Sequence, residues 1–127
     1  MAQRLLVVDD DPITGSILAG CGRVADVETK TVSDCDSFKR LLDRFNPTVV
    51  AIDIVMPDED GISLLRHLAS RRHRPSVILI SAYAHTYLPA ARRLGEAYGL
   101  TIVANLPKPI NPTTFEAVLR RAGGITG

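Results

Sequence analysis

The sequence alternates short apolar runs with stretches of helical periodicity, and it does so five times along its length. Four runs rich in Val and Ile have the length of a strand: residues 5–8, 49–52, 77–80 and 102–104. A more polar run at residues 27–32 is the fifth candidate strand. Continuous apolar runs of this length are typical of strands that are buried on both faces, as in parallel sheets.

The stretches between these runs have apolar residues every three or four positions. This spacing predicts five helices, over residues 13–24, 38–45, 62–69, 87–98 and 115–122. Asp11 and Asn111 each precede a proline and can cap a helix, and Ser33 with Asp36 fits a capping box. Strand-helix alternation implies right-handed crossovers between parallel strands. We therefore expect an α/β fold with a doubly wound five-stranded parallel sheet, strand order 2-1-3-4-5, in the flavodoxin-like (βα)5 arrangement.

Length and composition are those of one folded domain, since the chain has 127 residues and is 46% apolar. We expect the domain to span residues 1–122 and residues 123–127 to form a flexible tail or the start of a linker. A formal net charge of +1 gives no general attraction for nucleic acid or an anionic membrane. The basic run at residues 71–74 follows a predicted helix, so we expect it to complement that helix dipole rather than bind a polyanion.

Neither the start of the chain nor its cysteines indicate export or a membrane location. The apolar run near the start has only four residues, which is shorter than the apolar region of a signal peptide, and no run is long enough to cross a membrane. Cys21 and Cys35 are too far apart for a CxxC motif and too few for a disulfide framework. We predict two reduced thiols and a cytoplasmic protein.

Polar residues follow four of the predicted strands at the same end. Asp9 and Asp10 follow the first strand, Asp53 the third, Ser81 the fourth and Lys108 the fifth. Taken singly, the aspartates could be capping or turn residues, Ser81 could be a loop hydroxyl and Lys108 could simply be exposed. In a sheet of order 2-1-3-4-5, however, these ends meet at one edge, and ligands bind between strands 1 and 3. Clustered carboxylates repel one another unless they hold a proton or a cation, which favours a Mg²⁺-assisted phosphoryl site.

Four segments in this order resemble the receiver domain of two-component response regulators. They are Leu6-Val7-Val8-Asp9-Asp10, Asp53 to Pro57 with Asp60-Gly61, Ile80-Ser81-Ala82, and Lys108-Pro109. The resemblance implies that Asp53 accepts a phosphoryl group from a sensor histidine kinase or a phosphotransfer protein. It also implies that the domain switches a partner or an attached output domain and has no turnover substrate of its own.

The same resemblance assigns roles to the other residues. Mg²⁺ would be bound by Asp10, Asp53 and the backbone carbonyl of Val55, with Asp9 acting through a water molecule. Ser81 and Lys108 would contact phosphoryl oxygens, Ala82 would leave room beside them, and the Lys108-Pro109 peptide would be cis. The output surface would be the fourth helix, fifth strand and fifth helix, including Tyr87, Arg92, Arg93, Asn105 and parts of 112–122. A homodimer is left open.

Two departures from the family pattern bear on regulation. Asn105 stands where the family usually has Tyr or Phe, so the usual aromatic switch involving Ser81 and Ala82 is in question. Val55 and Tyr83 occupy the positions that tune attack by water, and neither is suited to activate a water molecule. We therefore predict slow self-dephosphorylation.

Other functions remain as alternatives. One is a pseudo-receiver that binds proteins independently of phosphorylation, and another is a regulatory domain of a cyclic-di-GMP phosphodiesterase, which the stretch 91–109 resembles. A haloacid dehalogenase-type phosphatase is disfavoured because Val55 stands where its second aspartate is needed. Flavin binding is disfavoured because no Ser/Thr-rich phosphate loop follows the first strand.

Overall fold

The computed structural model describes the backbone of residues 2–56 and 61–124, and their side chains except those of residues 84–86, 123 and 124. The strands are β1 (Arg4–Val8), β2 (Glu28–Val32), β3 (Val49–Asp53), β4 (Ser76–Ser81) and β5 (Ile102–Pro107). The helices are α1 (Pro12–Val24), α2 (Cys35–Phe45), α3 (Gly61–Ala69), α4 (Ala84–Ala97) and α5 (Pro112–Gly124). All strand pairs are parallel, in the order β2-β1-β3-β4-β5, which confirms the predicted fold.

The sheet separates two apolar cores. One lies between the sheet and helices α2, α3 and α4, and it contains the fully buried ring of Phe38. The other lies under α1 and α5 and contains the fully buried ring of Phe115. Each buried ring contributes about 1.5–3 kcal/mol to stability. Strands β1, β3 and β4 are covered on both faces, whereas β2 is an edge strand with exposed Glu28 and Lys30, which explains its polar sequence.

Helix starts follow the predicted capping signals with one correction. Asp11 Oδ1 accepts from Ile13 N at 3.0 Å, and Asn111 Oδ1 accepts from Thr114 N at 3.1 Å. The capping box predicted from Ser33 and Asp36 is wrong, because the N-cap of α2 lies one residue after Ser33. Its N-cap is Asp34, whose carboxylate accepts from both the backbone N and the hydroxyl of Ser37. Burial of Cys35 and Phe38 against the sheet fixes this register.

Several element boundaries differ from the prediction, and helices α2 and α5 each start three residues before the predicted range. Strand β5 continues past residue 104 because its backbone pairs with β4 as far as Ser81 and Pro107, whatever the polarity of the side chains. Helix α4 starts at Ala84, three residues early, and contains Pro89 in its interior. Helix α5 continues to Gly124, beyond the expected boundary at residue 122, and residues 125–127 lie outside the described part. The domain boundary therefore stays a prediction.

Candidate functional site

Three carboxylates meet where β1 and β3 end beside each other. Asp9, Asp10 and Asp53 each place one oxygen within 4.8 Å of the others. Asp9 and Asp53 are both 3% exposed, whereas Asp10 is exposed to solvent. This is the place between strands 1 and 3 where the sequence predicts a ligand site, and all three residues reach it.

Backbone hydrogen bonds fix the buried carboxylates. The Asp9 backbone N–H donates to Val32 O at 3.1 Å and so prolongs the pairing of β1 with β2. Its Oδ1 accepts from Asp11 N at 2.9 Å, at the start of α1. Asp53 Oδ1 accepts from Val55 N at 3.1 Å, which holds the carboxylate against the loop after β3. Both carboxylates are therefore preorganised by the strand-to-helix turns that follow them.

The loop after β3 depends on Gly61, the first residue of α3. A Cβ atom at this position would lie 2.5 Å from Ile54 Cα and 3.0 Å from Asp53 O. The Gly61 backbone N–H donates to Ile54 O at 3.0 Å. Glycine is needed here because the helix start presses directly on the backbone that carries Asp53. Pro57 and Asp60, the other residues of this motif, lie outside the described residues.

Lys108 joins the two buried carboxylates. Its Nζ donates to Asp53 Oδ2 at 3.1 Å and to Asp9 Oδ1 at 3.0 Å. Its backbone N–H donates to Ser81 O at 2.9 Å, which anchors the residue to the end of β4. The Lys108-Pro109 peptide is cis, as the resemblance implies. The ammonium group therefore lies inside the site and not in solvent.

Burial and charge alter the titration of this cluster. Burial raises the pKa of Asp53 to about 6, and the negative charge of Asp9 also raises it. The hydrogen bonds from Val55 N and Lys108 lower this pKa and offset part of the rise. Burial alone would lower the pKa of Lys108. Its hydrogen bonds to Asp9 and Asp53, and their negative charges, outweigh this effect and raise that pKa overall. The ammonium form of Lys108 is therefore favoured, whereas Asp53 loses its proton less readily than a free aspartate does.

The carboxylates open into a cavity of about 430 Å³. Its described lining comprises Asp10, Asp11, Asp53, Val55, Met56, Ala82, Tyr83 and Lys108. Ser81 is fully buried beside it, and its Oγ accepts from Tyr83 N at 2.9 Å. Asp11, which the sequence indicates only as a helix cap, also belongs to this lining. No local sequence pattern distinguishes the two roles.

The donor set suits a hard divalent cation. If all are ionised, three carboxylates and Lys108 leave the cluster with two net negative charges. Asp9 Oδ2 is buried and accepts no hydrogen bond from the described residues, although Lys108 Nζ lies 2.8 Å away as an ion pair. Mg²⁺ prefers oxygen ligands and commonly uses one or two carboxylates together with water and phosphate. Because Asp10 is exposed, a cation bound to it can keep water molecules as its other ligands.

The sequence does not predict the contacts of Asn105 or a second, apolar cavity. Asn105 Nδ2 donates to Leu88 O in α4 at 3.3 Å, while its Oδ1 is buried and accepts no hydrogen bond among the described residues. A second cavity of about 390 Å³ lies between α3 and α4 and shares Val55 and Met56 with the first. Both features depend on where α4 packs, which periodicity does not specify.

Two arginines of the basic run after α3 contact neighbouring parts of the fold. Arg74 donates to Ala69 O at 2.7 Å, where α3 ends, and Arg71 pairs with Asp43 in α2. The Arg74 contact agrees with the predicted role at the helix terminus, and the Arg71 contact joins the run to α2. Among the described residues, no helix is long and apolar enough to cross a membrane.

The chain is similar to known proteins over most of its length. The family model described as response regulator receiver domain matches residues 5–120. The positive alginate biosynthesis regulatory protein of Pseudomonas aeruginosa is 29% identical over 94% of this chain and 46% of its own length. A protein-glutamate methylesterase/protein-glutamine glutaminase of Shewanella oneidensis is 34% identical over 86% of this chain and 30% of its own length. A response regulator structure from Colwellia psychrerythraea has a TM-score of 0.79 and 26% identity, covering 98% of this chain and 99% of that one. The chain therefore spans less than half the length of these two curated relatives.

Proposed function

Because this chain belongs to the response regulator receiver domain family, we propose that it is a phosphoacceptor switch in which Asp53 takes a phosphoryl group in a Mg²⁺-dependent reaction. The donor is the phosphohistidine of a sensor histidine kinase or of a phosphotransfer protein. The phosphorylated domain then regulates an attached output domain or a separate partner in the cytoplasm.

One observation carries this proposal: a buried aspartate at a strand end is contacted by a lysine and surrounded by two further carboxylates. Asp53 is 3% exposed, Lys108 Nζ lies 3.1 Å from its Oδ2, and an oxygen of Asp9 and of Asp10 lies within 4.8 Å. A purely structural ion pair requires no third carboxylate. The surplus negative charge would attract a divalent cation, and the bound cation would in turn attract an anionic phosphoryl group.

The chemical step is a substitution at phosphorus. A carboxylate oxygen of Asp53 forms the new O–P bond while the N–P bond to the donor imidazole breaks, and the released imidazole nitrogen takes up a proton. The hydrogen bond from Val55 N orients the Asp53 carboxylate towards the cavity. Ionised Asp53 is the nucleophile, so the groups that favour its ionised form also favour the reaction.

Lys108 and Ser81 act on the charge that develops on the phosphoryl oxygens. The ammonium of Lys108 already touches Asp53 and is held by its backbone bond to Ser81, so it needs little rearrangement to contact a phosphoryl oxygen. The buried hydroxyl of Ser81 supplies a second donor, and the small side chain of Ala82 leaves space beside it.

Mg²⁺ would be held by Asp10, Asp53 and the Val55 carbonyl, with Asp9 acting through water, and it would neutralise phosphoryl and carboxylate charge. Asp9 also keeps Lys108 in place through its Oδ1. The carboxylates of Asp9 and Asp53 are fixed by backbone N–H groups, so the site is preorganised for a cation.

The domain assists its own phosphorylation and dephosphorylation without having a separate turnover substrate. The activity in the name of the Shewanella relative belongs to a protein of which this chain matches 30%. Signal output is proposed through the α4-β5-α5 surface, which includes Tyr87, Arg92, Arg93 and Asn105. This surface also offers a place for a homodimer.

The second candidate function is a phosphorylation-independent pseudo-receiver. The observation that favours it is Asn105, which replaces the usual aromatic residue and is hydrogen-bonded to α4. A regulatory domain of a cyclic-di-GMP phosphodiesterase is a narrower version of the main proposal, because it concerns only what the domain regulates.

Intact-mass measurement after incubation with acetyl phosphate and Mg²⁺ tests the main proposal. We expect one phosphoryl adduct, which should not form when EDTA is present or in Asp53→Asn. It should form in the matched control Asp36→Asn, which alters an exposed carboxylate on α2. Absence of the adduct, together with failure of beryllofluoride to bind, would favour the pseudo-receiver.

A further inference from the structure

The side chain of Asp11 is a fourth carboxylate at the cavity that contains Asp53. It lines this cavity together with Asp53 and Lys108. Its Oδ1 accepts from Ile13 N at 3.0 Å, and its Oδ2 accepts from the Thr14 hydroxyl at 3.0 Å. These two hydrogen bonds fix both carboxylate oxygens at the first turn of α1, beside the cavity.

Asp11 lies outside the group of carboxylates that could hold a cation. Among the described residues, that group consists of Asp9, Asp10 and Asp53, whose oxygens lie within 4.8 Å of one another. Asp11 contacts this group through its backbone, because its N–H donates to Asp9 Oδ1 at 2.9 Å. The Asp11 carboxylate is therefore a negative charge at the cavity that the cation site does not include.

The start of α1 offers little attraction to an anion from solution. Helix N-termini usually attract anions through their free N–H groups. Here Pro12 has no N–H, and the Ile13 N–H already donates to Asp11. Hydrogen bonds from Ile13 N and from Thr14 lower the pKa of Asp11, and the charge of Lys108 also lowers it, so this carboxylate is ionised at neutral pH. A phosphodonor that enters the cavity past α1 therefore meets a negative charge.

We propose that Asp11 is a specificity-determining residue that selects phosphodonors by their charge and favours donors with a P–N bond over acyl phosphates. This proposal rests on the proposed function. An acyl phosphate such as acetyl phosphate carries two negative charges at neutral pH, and its leaving group departs as an anion. A phosphoryl group on a protonated nitrogen carries one net negative charge, and its leaving group departs as a neutral amine or imidazole. The Asp11 charge therefore repels the acyl phosphate more strongly.

Two small donors separate the effect of charge from the effect of the bond that forms. With both donors, a carboxylate oxygen of Asp53 forms the new O–P bond. With acetyl phosphate, the P–O bond to the acetyl group breaks and acetate keeps the electron pair. With phosphoramidate, the P–N bond breaks and the nitrogen, which is already protonated, leaves as ammonia. The donors differ by one unit of charge, and across a cavity open to solvent this difference changes the ratio of their rates by about two- to fivefold.

The rates of adduct formation with these two donors, followed by intact mass at saturating Mg²⁺, test the proposal. Asp11→Asn removes the charge and keeps a good N-cap. We expect the ratio of the acetyl phosphate rate to the phosphoramidate rate to rise about two- to fivefold in this variant. Asp11→Ser, a second uncharged N-cap, should change the ratio in the same direction. About 1 M KCl should bring the wild-type ratio close to that of the variants, because it shortens the screening length to about 3 Å.

Asp34→Asn is the matched control. Asp34 caps α2 by accepting from the backbone N and the hydroxyl of Ser37, and it lies outside the described lining of the cavity. We expect this variant to keep the wild-type ratio of rates. An unchanged ratio in both Asp11 variants would overturn the charge selection, even if both rates changed, because Asp11 would then act on Mg²⁺ or on the fold. A wild type that neither donor labels at Asp53 would instead contradict the proposed function.

Discussion

Asp53→Asn should stabilise the metal-free protein at neutral and alkaline pH. Burial is the main reason that the pKa of Asp53 rises from its ordinary value of 3.8 to about 6 in the folded chain. The unfolded chain loses this proton near pH 4, whereas the folded chain keeps it until about pH 6. Folding therefore takes up a proton in this window, and the stability of the wild type falls as the pH rises through it.

The magnitude follows from the two pKa values. Each pH unit between them corresponds to about 1.4 kcal/mol, so the full cost above pH 6 is about 3 kcal/mol. Asparagine has the same shape and cannot ionise, so the variant does not bear this cost. Its one oxygen can accept from Val55 N, as Oδ1 of the carboxylate does, but its NH2 group then replaces Oδ2, which accepts from Lys108. Loss of that contact makes about 3 kcal/mol the upper limit of the gain.

Urea unfolding in EDTA at several pH values between 4 and 8 measures the effect. We expect the free energy of unfolding of Asp53→Asn to exceed that of the wild type by up to about 3 kcal/mol at pH 8. This difference should shrink as the pH falls to 4. Glu28→Gln, which removes an exposed carboxylate on β2, should show no such rise. A variant less stable than the wild type at pH 8 would refute the reasoning, because the ion pair with Lys108 would then outweigh the burial cost.

Three further expectations concern the metal, the turn after β3 and the phosphoryl lifetime. In calorimetry, Mg²⁺ should raise the Tm of the wild type more than it raises the Tm of Asp53→Asn. An equal rise in both proteins would contradict metal binding at the cluster. Gly61→Ala should lower the free energy of unfolding in urea by about 1–3 kcal/mol, since its Cβ would lie 2.5 Å from Ile54 Cα. Gly20→Ala, whose Cβ would have no neighbour nearer than 3.7 Å, should raise it by about 0.5–1 kcal/mol. The reverse order would refute the steric argument. The adduct formed with acetyl phosphate should outlast seconds when followed by intact mass, because neither Val55 nor Tyr83 is suited to activate water, and loss within seconds would show that another group does so.

The sequence predicts the sheet because its central strands are continuous apolar runs, and it predicts the carboxylate cluster because Asp9, Asp10 and Asp53 stand at strand ends that parallel topology brings together. It does not predict the end of β5, since Asn105 and Pro107 interrupt the apolar run while their backbone still pairs with β4. Strand ends are set by the partner strand, which a local pattern does not include.

Contacts that depend on helix packing were also beyond the sequence. The capping residue of α2 shifts to Asp34 because burial of its apolar neighbours sets the helix start. The bond from Asn105 to Leu88 requires the position of α4 over β5, and α4 has only a thin apolar stripe and an internal proline. Such cross-element contacts are three-dimensional properties that spacing along the chain does not encode.

The division of the apolar interior by the sheet gives the chain two separate reporters of opening. Cys21 is 2% exposed in the core under α1 and α5, and Cys35 is 1% exposed in the core under α2, α3 and α4. A thiol reagent reaches either sulfur only when its own side of the sheet opens, so the two labelling rates compare the local stability of the two layers. Equal rates would mean that the layers open as one cooperative unit, and unequal rates would identify the layer that opens first.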